Sequence, residues 1–247
     1  MKPTGNMILI TGAGSGIGRA LAHRFHDLGN HVIAAGRRRS ALEETARGHP
    51  RMSVMELDVD DPAAIAAFAR EITAAHPALN ILINNSGIMR SEDITRSRDL
   101  TDAEATVVTN LLGPIRMIDA LVDHLAGQPN AAIVNVTSGL AFVPLPRTPT
   151  YSATKAAIHS YTLSLREQLR DQVEVIELVP PGVQTELTPG QSKVDAYMPL
   201  TDFIDEVMTL FQTTPTPAEI TVQRVLTLRN AEREGRSAQM LAMLAGH

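Results

Sequence analysis

Three groups of residues in this sequence could do chemistry. Tyr151 and Lys155 stand four apart in Tyr151-Ser152-Ala153-Thr154-Lys155-Ala156-Ala157. In a helix that spacing places them one turn apart on one face, a phenol beside a cation. A free phenol titrates near pH ~10, and a neighbouring ammonium favours the phenolate. That would bring Tyr151 toward the range where it exchanges protons with an alcohol or carbonyl oxygen. The bland alternative, an ordinary Tyr/Lys helix face, would stand if nothing else in the chain pointed to a ligand. Ser138 closes the run Val134-Asn135-Val136-Thr137-Ser138, at the strand end where open α/β sheets hold ligands, so its hydroxyl is a candidate to orient a substrate oxygen. Asn110, in Thr109-Asn110-Leu111-Leu112-Gly113, lies inside a long apolar helical stretch, where a buried amide needs a partner.

The second group is Gly12-Ala13-Gly14-Ser15-Gly16-Ile17-Gly18, set between the strand-like Met7 to Ile10 and a helical pattern from Arg19. Glycines let the backbone take positive φ and let a pyrophosphate come close, while the helix start offers free N–H groups and the positive end of its dipole. A plain tight turn is the alternative, and the flanking strand and helix favour the dinucleotide. The third group is Arg37 and Arg38. Dinucleotide sites commonly carry a carboxylate about 20 residues past the glycines, at the end of the second strand, to hold ribose hydroxyls. Here that position is Gly36, followed by Arg37-Arg38-Arg39. Arginine at a helix start opposes the dipole, so a ribose phosphate explains these residues better than chance does, and NADP(H) is expected over NAD(H).

The elements that must position these groups are legible as an alternation. Strand-length apolar runs recur at Met7 to Ile10, His31 to Ala35, Met52 to Met55, Ile81 to Ile83, Ala131 to Val136 and Val173 to Val179. Helical spacing covers Leu21 to Leu28, Ala63 to Ala75, Ala103 to Leu125 and Ala153 to Leu169 between them. This predicts an α/β fold, a doubly wound parallel sheet of about seven strands with helices on both faces. No linker, charge block or internal repeat divides the chain, so a single domain over residues 1–247 is expected. The proline-interrupted stretch at about 186–215 reads as a lid with a short helix from Asp202 to Phe211, and Ile220-Thr221-Val222 as a last strand.

Composition excludes several functions. With 44% hydrophobic and 20% charged residues the chain is globular rather than disordered. Lys and Arg total 22 against 27 Asp and Glu, a net charge of −5 with no basic block, which argues against a nucleic-acid surface. There is no cysteine, hence no disulfide, thiolate nucleophile or Cys-based metal site. The eight histidines follow no metal-ligand spacing, and His23 and His26, three apart, read as a helix face; no required metal is expected. The polar amino terminus and the shortness of the apolar runs predict no export, no membrane span and a cytoplasmic protein.

Taken together in this order, the motifs resemble the short-chain dehydrogenase/reductase superfamily, in its short single-domain branch. The likeness covers nearly the whole chain and rests on Gly12, Gly16 and Gly18, on Asp58 in Leu57-Asp58-Val59, and on Asn84-Asn85-Ser86-Gly87, where Ser86 replaces the usual alanine. The tetrad of that family falls on Asn110, Ser138, Tyr151 and Lys155. The resemblance implies that Asp58 and Val59 meet the adenine, that Asn85, Ser86 and Gly87 line the cofactor, and that Lys155 holds the nicotinamide ribose. It also implies that Asn110 supports a water in a proton relay through Lys155, and that Pro181, Val183 and Thr185 meet the nicotinamide side, Thr185 at the carboxamide. Counting back from Thr185, Pro181 stands where the family has glycine, and proline fixes φ near −65°. The Pro180-Pro181 turn, the Gly139-Leu140-Ala141-Phe142 segment and Ile158-His159-Ser160 are similar to the subgroup named after the D-alanyl-lipoteichoic-acid operon oxidoreductase. A homodimer or homotetramer is implied as well, through the helices bearing Asn110 and Tyr151.

The expected activity is hydride transfer between a nicotinamide and a carbonyl or alcohol carbon, with the protein supplying position and protons. Ile88, Met89, Leu140, Phe142, Val143 and Leu187 are the candidate substrate contacts, and their apolar character favours a neutral or lipophilic small molecule. An epimerase or dehydratase is disfavoured by the short chain, and a nonenzymatic NADP-binding redox sensor by the intact tetrad.

Overall fold

The computed structural model describes residues 1–246. Seven parallel strands form one sheet: β1 Met7–Thr11, β2 His31–Gly36, β3 Met52–Glu56, β4 Ile81–Asn84, β5 Ala132–Val136, β6 Glu174–Val179 and β7 Glu219–Thr221. Their order is β3-β2-β1-β4-β5-β6-β7. The chain winds outward from β1 to β3, then returns through a helix to start the other half at β4, so the winding reverses between β1 and β4. Such a reversal opens a crevice at the strands' carboxyl ends. The register is tight there, with Ile8 opposite Ile81 and Ile83 opposite Val134.

Because both sheet faces are covered, the strands read as continuous apolar runs and their side chains alternate between two cores. Ile8, Ile10, Val32, Ile83 and Val134 face one core, which includes Leu21 and Phe25 of α1 (Gly16–Asp27) and Phe203 and Phe211 of α7 (Leu200–Phe211). Leu9, Ile33, Leu82 and Ile133 face the other, against α3 (Pro62–Ala75), α5 (Gly113–Ala126) and α6 (Pro149–Gln168). The remaining helices are α2 (Arg39–Ala46), α4 (Thr101–Val107), α8 (Leu226–Arg229) and α9 (Ser237–Ala245). Helix α3 starts where the sequence dictates: the Asp61 carboxylate accepts the Ala63 N–H at 2.8 Å and Pro62 occupies the first turn.

Three features differ from what the sequence predicts. The long helix expected over Ala103 to Leu125 is interrupted at Val108–Leu112 by a π-helical turn between α4 and α5. Thr101–Ala126 as a whole is long and apolar enough to cross a bilayer, yet Met117, Ile118 and Leu121 of α5 are buried in the second core. The segment expected as a lid divides: Glu186, Leu187 and Gln191 line the crevice, while α7 buries Phe203, Ile204, Val207, Met208 and Phe211 as a core helix. Phe211 meets Phe25 of α1 edge to face at 5.4 Å, a contact whose apolar burial an exposed lid would forfeit.

Within the sheet a line of amides crosses the core. Asn84 donates to Asn135 at 2.9 Å, and Asn135 donates to the Thr162 hydroxyl of α6 at 3.0 Å. Buried amides accept only such complementary partners, so this line fixes α6 against β4 and β5. That register decides where Tyr151 and Lys155 stand.

Candidate active site

The crevice at the β1/β4 reversal is a cleft of about 610 Å³, walled by the loops after β1 to β6. Its first corner is the glycine loop. Gly12 and Gly16 have φ of +66° and +53°, the left-handed region in which a side chain would be strained. Gly18 is glycine for a different reason: a Cβ there would lie 2.4 Å from the Asn85 amide nitrogen and 2.5 Å from the Gly12 carbonyl. Gly12, Gly14, Ser15, Gly16 and Ile17 line the cleft, whereas Gly18 supports it from behind. Ser15 precedes α1 without a side-chain cap, and no acidic residue stands in the first turn. The free N–H groups of that turn and its positive dipole end therefore face the cleft, where an anion would be stabilised.

At the end of β2, Arg37 and Arg38 both reach the cleft wall. Arg39 does not, and instead pairs with Glu43 at 2.9 Å and Glu56 at 3.6 Å. Arg37 lies 3.7 Å from Asp60, and among the described residues no carboxylate is paired with Arg38. Val59 lines the cleft, and Asp58 beside it uses its carboxylate to accept the Asp60 N–H at 3.1 Å. Asp60 itself, which the motifs do not single out, lines the cleft and accepts the Thr109 hydroxyl at 2.7 Å. The sequence Asp58-Val59-Asp60 offers two carboxylates, and the turn at Val59-Asp60 separates them.

Asn85, Ser86 and Gly87 continue from β4 along the cleft floor. The Asn85 and Ser86 N–H groups donate to the Thr11 hydroxyl at 3.0 and 3.1 Å, and the Asn85 amide donates to the Thr11 carbonyl at 2.9 Å. The π-helical turn directs Asn110 toward this segment. Its Oδ1 accepts the Ile88 N–H and its Nδ2 donates to the Ile88 carbonyl, each at 2.8 Å. Asn110 is thus buried behind Gly87 rather than in the cleft wall, and a Cβ on Gly87 would sit 3.3 Å from its Oδ1 and 3.9 Å from Lys155 Nζ. A π turn at such a place often marks function, and its signal in the sequence is only the misplaced polar residue.

Ser138, Tyr151 and Lys155 meet at the opposite wall. Lys155 Nζ donates to the Val136 carbonyl at 2.8 Å and stands 5.6 Å from the centre of the Tyr151 ring. The expected lowering of the phenol is reversed. Burial pushes Tyr151 up to about 12, offset in part by the Ser138 hydroxyl, and pushes Lys155 down to about 8. Desolvation disfavours whichever form is charged, the phenolate and the ammonium alike, and here it outweighs the attraction between them.

Pro181, Val183 and Thr185 line the cleft after β6. Gly182, one residue past the family position, has no positive φ; a Cβ there would strike the Tyr197 ring at 2.8 Å. Of the candidate substrate contacts, Ile88 and Leu187 line the cleft. Met89 is buried and outside the wall. Val143 instead packs with Ala231 and Met240, and Phe142 lies between His159 and Arg229. Leu140 is also outside the wall, while Glu186 and Gln191, not expected, are in it.

Away from the cleft, His26, Asp27 and His49 bring one ligand atom each within 4.8 Å of one another. His23 does not join His26 but stacks on His49 at 4.3 Å. His247 lies outside the described residues.

Comparison with known proteins agrees with the geometry. The sequence profile of the family described as short chain dehydrogenase matches residues 6–195. An "Uncharacterized oxidoreductase DltE" from Bacillus subtilis is 43% identical over 189 residues, 76% of this chain and 75% of that protein. The crystal structure of a short chain dehydrogenase from Burkholderia cenocepacia in complex with NADP superposes with a TM-score of 0.83 at 25% identity, covering 98% of this chain and 99% of that one. A short chain dehydrogenase/reductase from Burkholderia phymatum in complex with NAD shares the fold, with a TM-score of 0.82 at 23% identity, covering 95% of each chain.

The displaced lysine has a measurable consequence. Below about pH 8 the folded and unfolded chains both carry the Lys155 proton, and the fold bears the full cost of desolvating it. Between about 8 and the ordinary 10.5 the unfolded chain binds more protons, so stability gains from this group as pH rises. In thermal denaturation of the ligand-free protein, Lys155→Met should melt above wild type at pH 7, with the difference shrinking over that window. A pH-independent difference would contradict the assigned burial effect.

Proposed function

The chain belongs to the short-chain dehydrogenase/reductase family, a family of nicotinamide-dependent oxidoreductases, and from that premise we propose that it is an NADP(H)-dependent reductase of neutral carbonyl compounds. The observation that carries this reading is the convergence of Ser138, Tyr151 and Lys155 on the same cleft as the uncapped amino terminus of α1.

The residues present fit a dinucleotide. The first turn of α1 offers its free N–H groups to a pyrophosphate, and the positive φ of Gly12 and Gly16 keeps side chains out of its path. Arg37 and Arg38 would hold a ribose 2′-phosphate, with the Arg38 guanidinium free of ion pairs among the described residues. Val59 and Asp60 would border the adenine, and Thr185 the carboxamide. When bound, the nicotinamide supplies or accepts the hydride.

On the protein side, Ser138 orients the substrate oxygen and Tyr151 is the proton donor. A phenol held at about 12 stays protonated at neutral pH, which supports giving a proton to a carbonyl oxygen as it becomes an alcohol. Lys155, held at about 8, is near its own titration point at neutral pH and is placed to return a proton toward the phenol. Asn110 keeps the Ile88 backbone in place beside that ammonium. For the substrate, Ile88, Leu187 and Pro181 make the wall apolar. Glu186 stands among them with its carboxyl lowered by hydrogen bonds from Ser192 and Gly190, so it is ionised and repels anions. A neutral carbonyl compound therefore suits the cleft better than a carboxylate. Self-association is proposed for the faces of α5 and α6 around Ile115, Val122, Tyr161 and Leu165, which share a shallow groove.

Three outcomes are expected. Oxidation of NADPH, followed by its absorbance, should occur with aldehydes or ketones but not with dicarboxylates, and Tyr151→Phe should cut turnover by about 10²- to 10⁴-fold without weakening NADPH binding. Full activity in that variant, or preference for dicarboxylates, would refute the respective assignment. Replacing Arg37 and Arg38 together by Ser should lower the NADPH-over-NADH ratio of kcat/KM by about tenfold or more, the worth of a charge-assisted contact; an unchanged ratio would remove the arginines from cofactor choice. Light scattering should give a dimer or tetramer, and a monomer at micromolar concentration would count against the α5/α6 face.

A further inference from the structure

Resting on the substrate-orienting role proposed for Ser138, we propose that Glu177 and His159 are positioning residues, a buried carboxylate–imidazole pair that sets the turn carrying the Ser138 hydroxyl. Glu177 is wholly buried in the middle of β6, a strand whose neighbours Val175, Ile176, Leu178 and Val179 are apolar. Leucine or valine would serve packing there, and a carboxylate is costly unless its oxygens are met by donors. Two groups meet them. The Thr137 hydroxyl donates to Oε1 at 2.7 Å, and His159 Nδ1 lies 3.0 Å from Oε1 and 2.8 Å from Oε2.

Both partners lead to the chemical end of the cleft. Thr137 stands between Val136, whose carbonyl accepts Lys155 Nζ, and Ser138. His159 is one helical turn beyond Lys155 on α6. Besides the Asn135–Thr162 bond and the Ser138–Tyr151 contact, two further ties join the halves of the site, the end of β5 with Ser138 and helix α6 with Tyr151 and Lys155. One tie runs through the Lys155 ammonium, which is itself part of the chemistry. The other runs from His159 through Glu177 to Thr137 and takes no part in it.

The same imidazole braces the far side of the turn. The His159 ring meets Phe142 edge to face at 4.8 Å, and the Arg229 guanidinium covers that ring from 4.5 Å. Arg229 of α8 is in turn paired with Glu219 of β7 at 2.7 and 2.9 Å. The charged groups around the pair are thus Lys155 and Arg166 from α6, Glu219 from β7 and Arg229 from α8. Arg166 is engaged with the Val175 and Ala218 carbonyls and Arg229 with Glu219, which leaves His159 as the direct partner of Glu177.

The test uses the full chain and three variants. Glu177→Leu with His159→Leu replaces the pair by apolar volume, which proteins often tolerate in stability; Glu177→Gln keeps the acceptor for Thr137; and Tyr151→Phe reports on the chemistry. Hydrogen exchange in the 136–142 peptide should rise about tenfold in the double variant, and kcat on the best aldehyde or ketone of the panel should fall about tenfold, the order of cost expected for a misplaced group. NADPH affinity and exchange in the glycine loop should stay within about twofold of wild type, and Glu177→Gln should restore most of the loss. Wild-type exchange and turnover in the double variant would overturn the proposal, as would a matching loss of NADPH binding, which marks a merely structural pair. Exchange is read without substrate, so a fully active Tyr151→Phe would refute the reductase reading while the exchange data still decide the role of the pair.

Discussion

At the point where the sheet reverses its winding, the Thr11 hydroxyl accepts the Asn85 and Ser86 N–H groups while the Asn85 amide donates to the Thr11 and Gly12 carbonyls. Strands β1 and β4 pair only over Ile8 to Ile10, so beyond that the two chains would part. These four hydrogen bonds carry the join on to Thr11 and Gly12, and beyond them the chains separate into opposite walls of the cleft. The glycine loop and the segment leading to Ile88 depend on this clasp. So does the absence of a side chain at Gly18, since a Cβ there would occupy the place of the Asn85 amide.

The second constraint is desolvation. The same burial that shields the site from water raises the Tyr151 phenol and lowers the Lys155 ammonium. Reasoning from adjacency alone gives the opposite sign for tyrosine, because a cation one turn away should favour the phenolate. Burial dominates because both groups lie under the surface, while their mutual contact is loose and the lysine points to a backbone carbonyl. A protonated phenol beside a lysine lowered by burial suits the proton transfer proposed for this pair.

A third feature is the use of buried polar pairs as rulers. The Asn84–Asn135–Thr162 line and the Thr137–Glu177–His159 contacts both join the sheet to α6. Apolar packing tolerates small slips, whereas a buried hydrogen bond is lost when its partner moves by an ångström. The helix bearing Tyr151 and Lys155 is located by such contacts from two strands, and the carboxy-terminal segment adds Arg229 against Phe142 from outside.

The alternation of apolar runs determined the parallel sheet, its strands and most of its helices, because periodicity and breakers are local properties that any part of the chain carries with it. Spacing likewise determined the pairing of Tyr151 with Lys155 on one helix face and the placement of glycines between β1 and α1. Tertiary structure alone decided which of Asp58 and Asp60 reaches the cleft, that Phe142 and Val143 turn away from it, and that α7 is core rather than lid. It also decided the π turn at Asn110 and the depth at which Tyr151 and Lys155 lie. Each of these depends on what approaches from a distant part of the chain, and burial, unlike periodicity, is a property of the neighbours rather than of the residue itself.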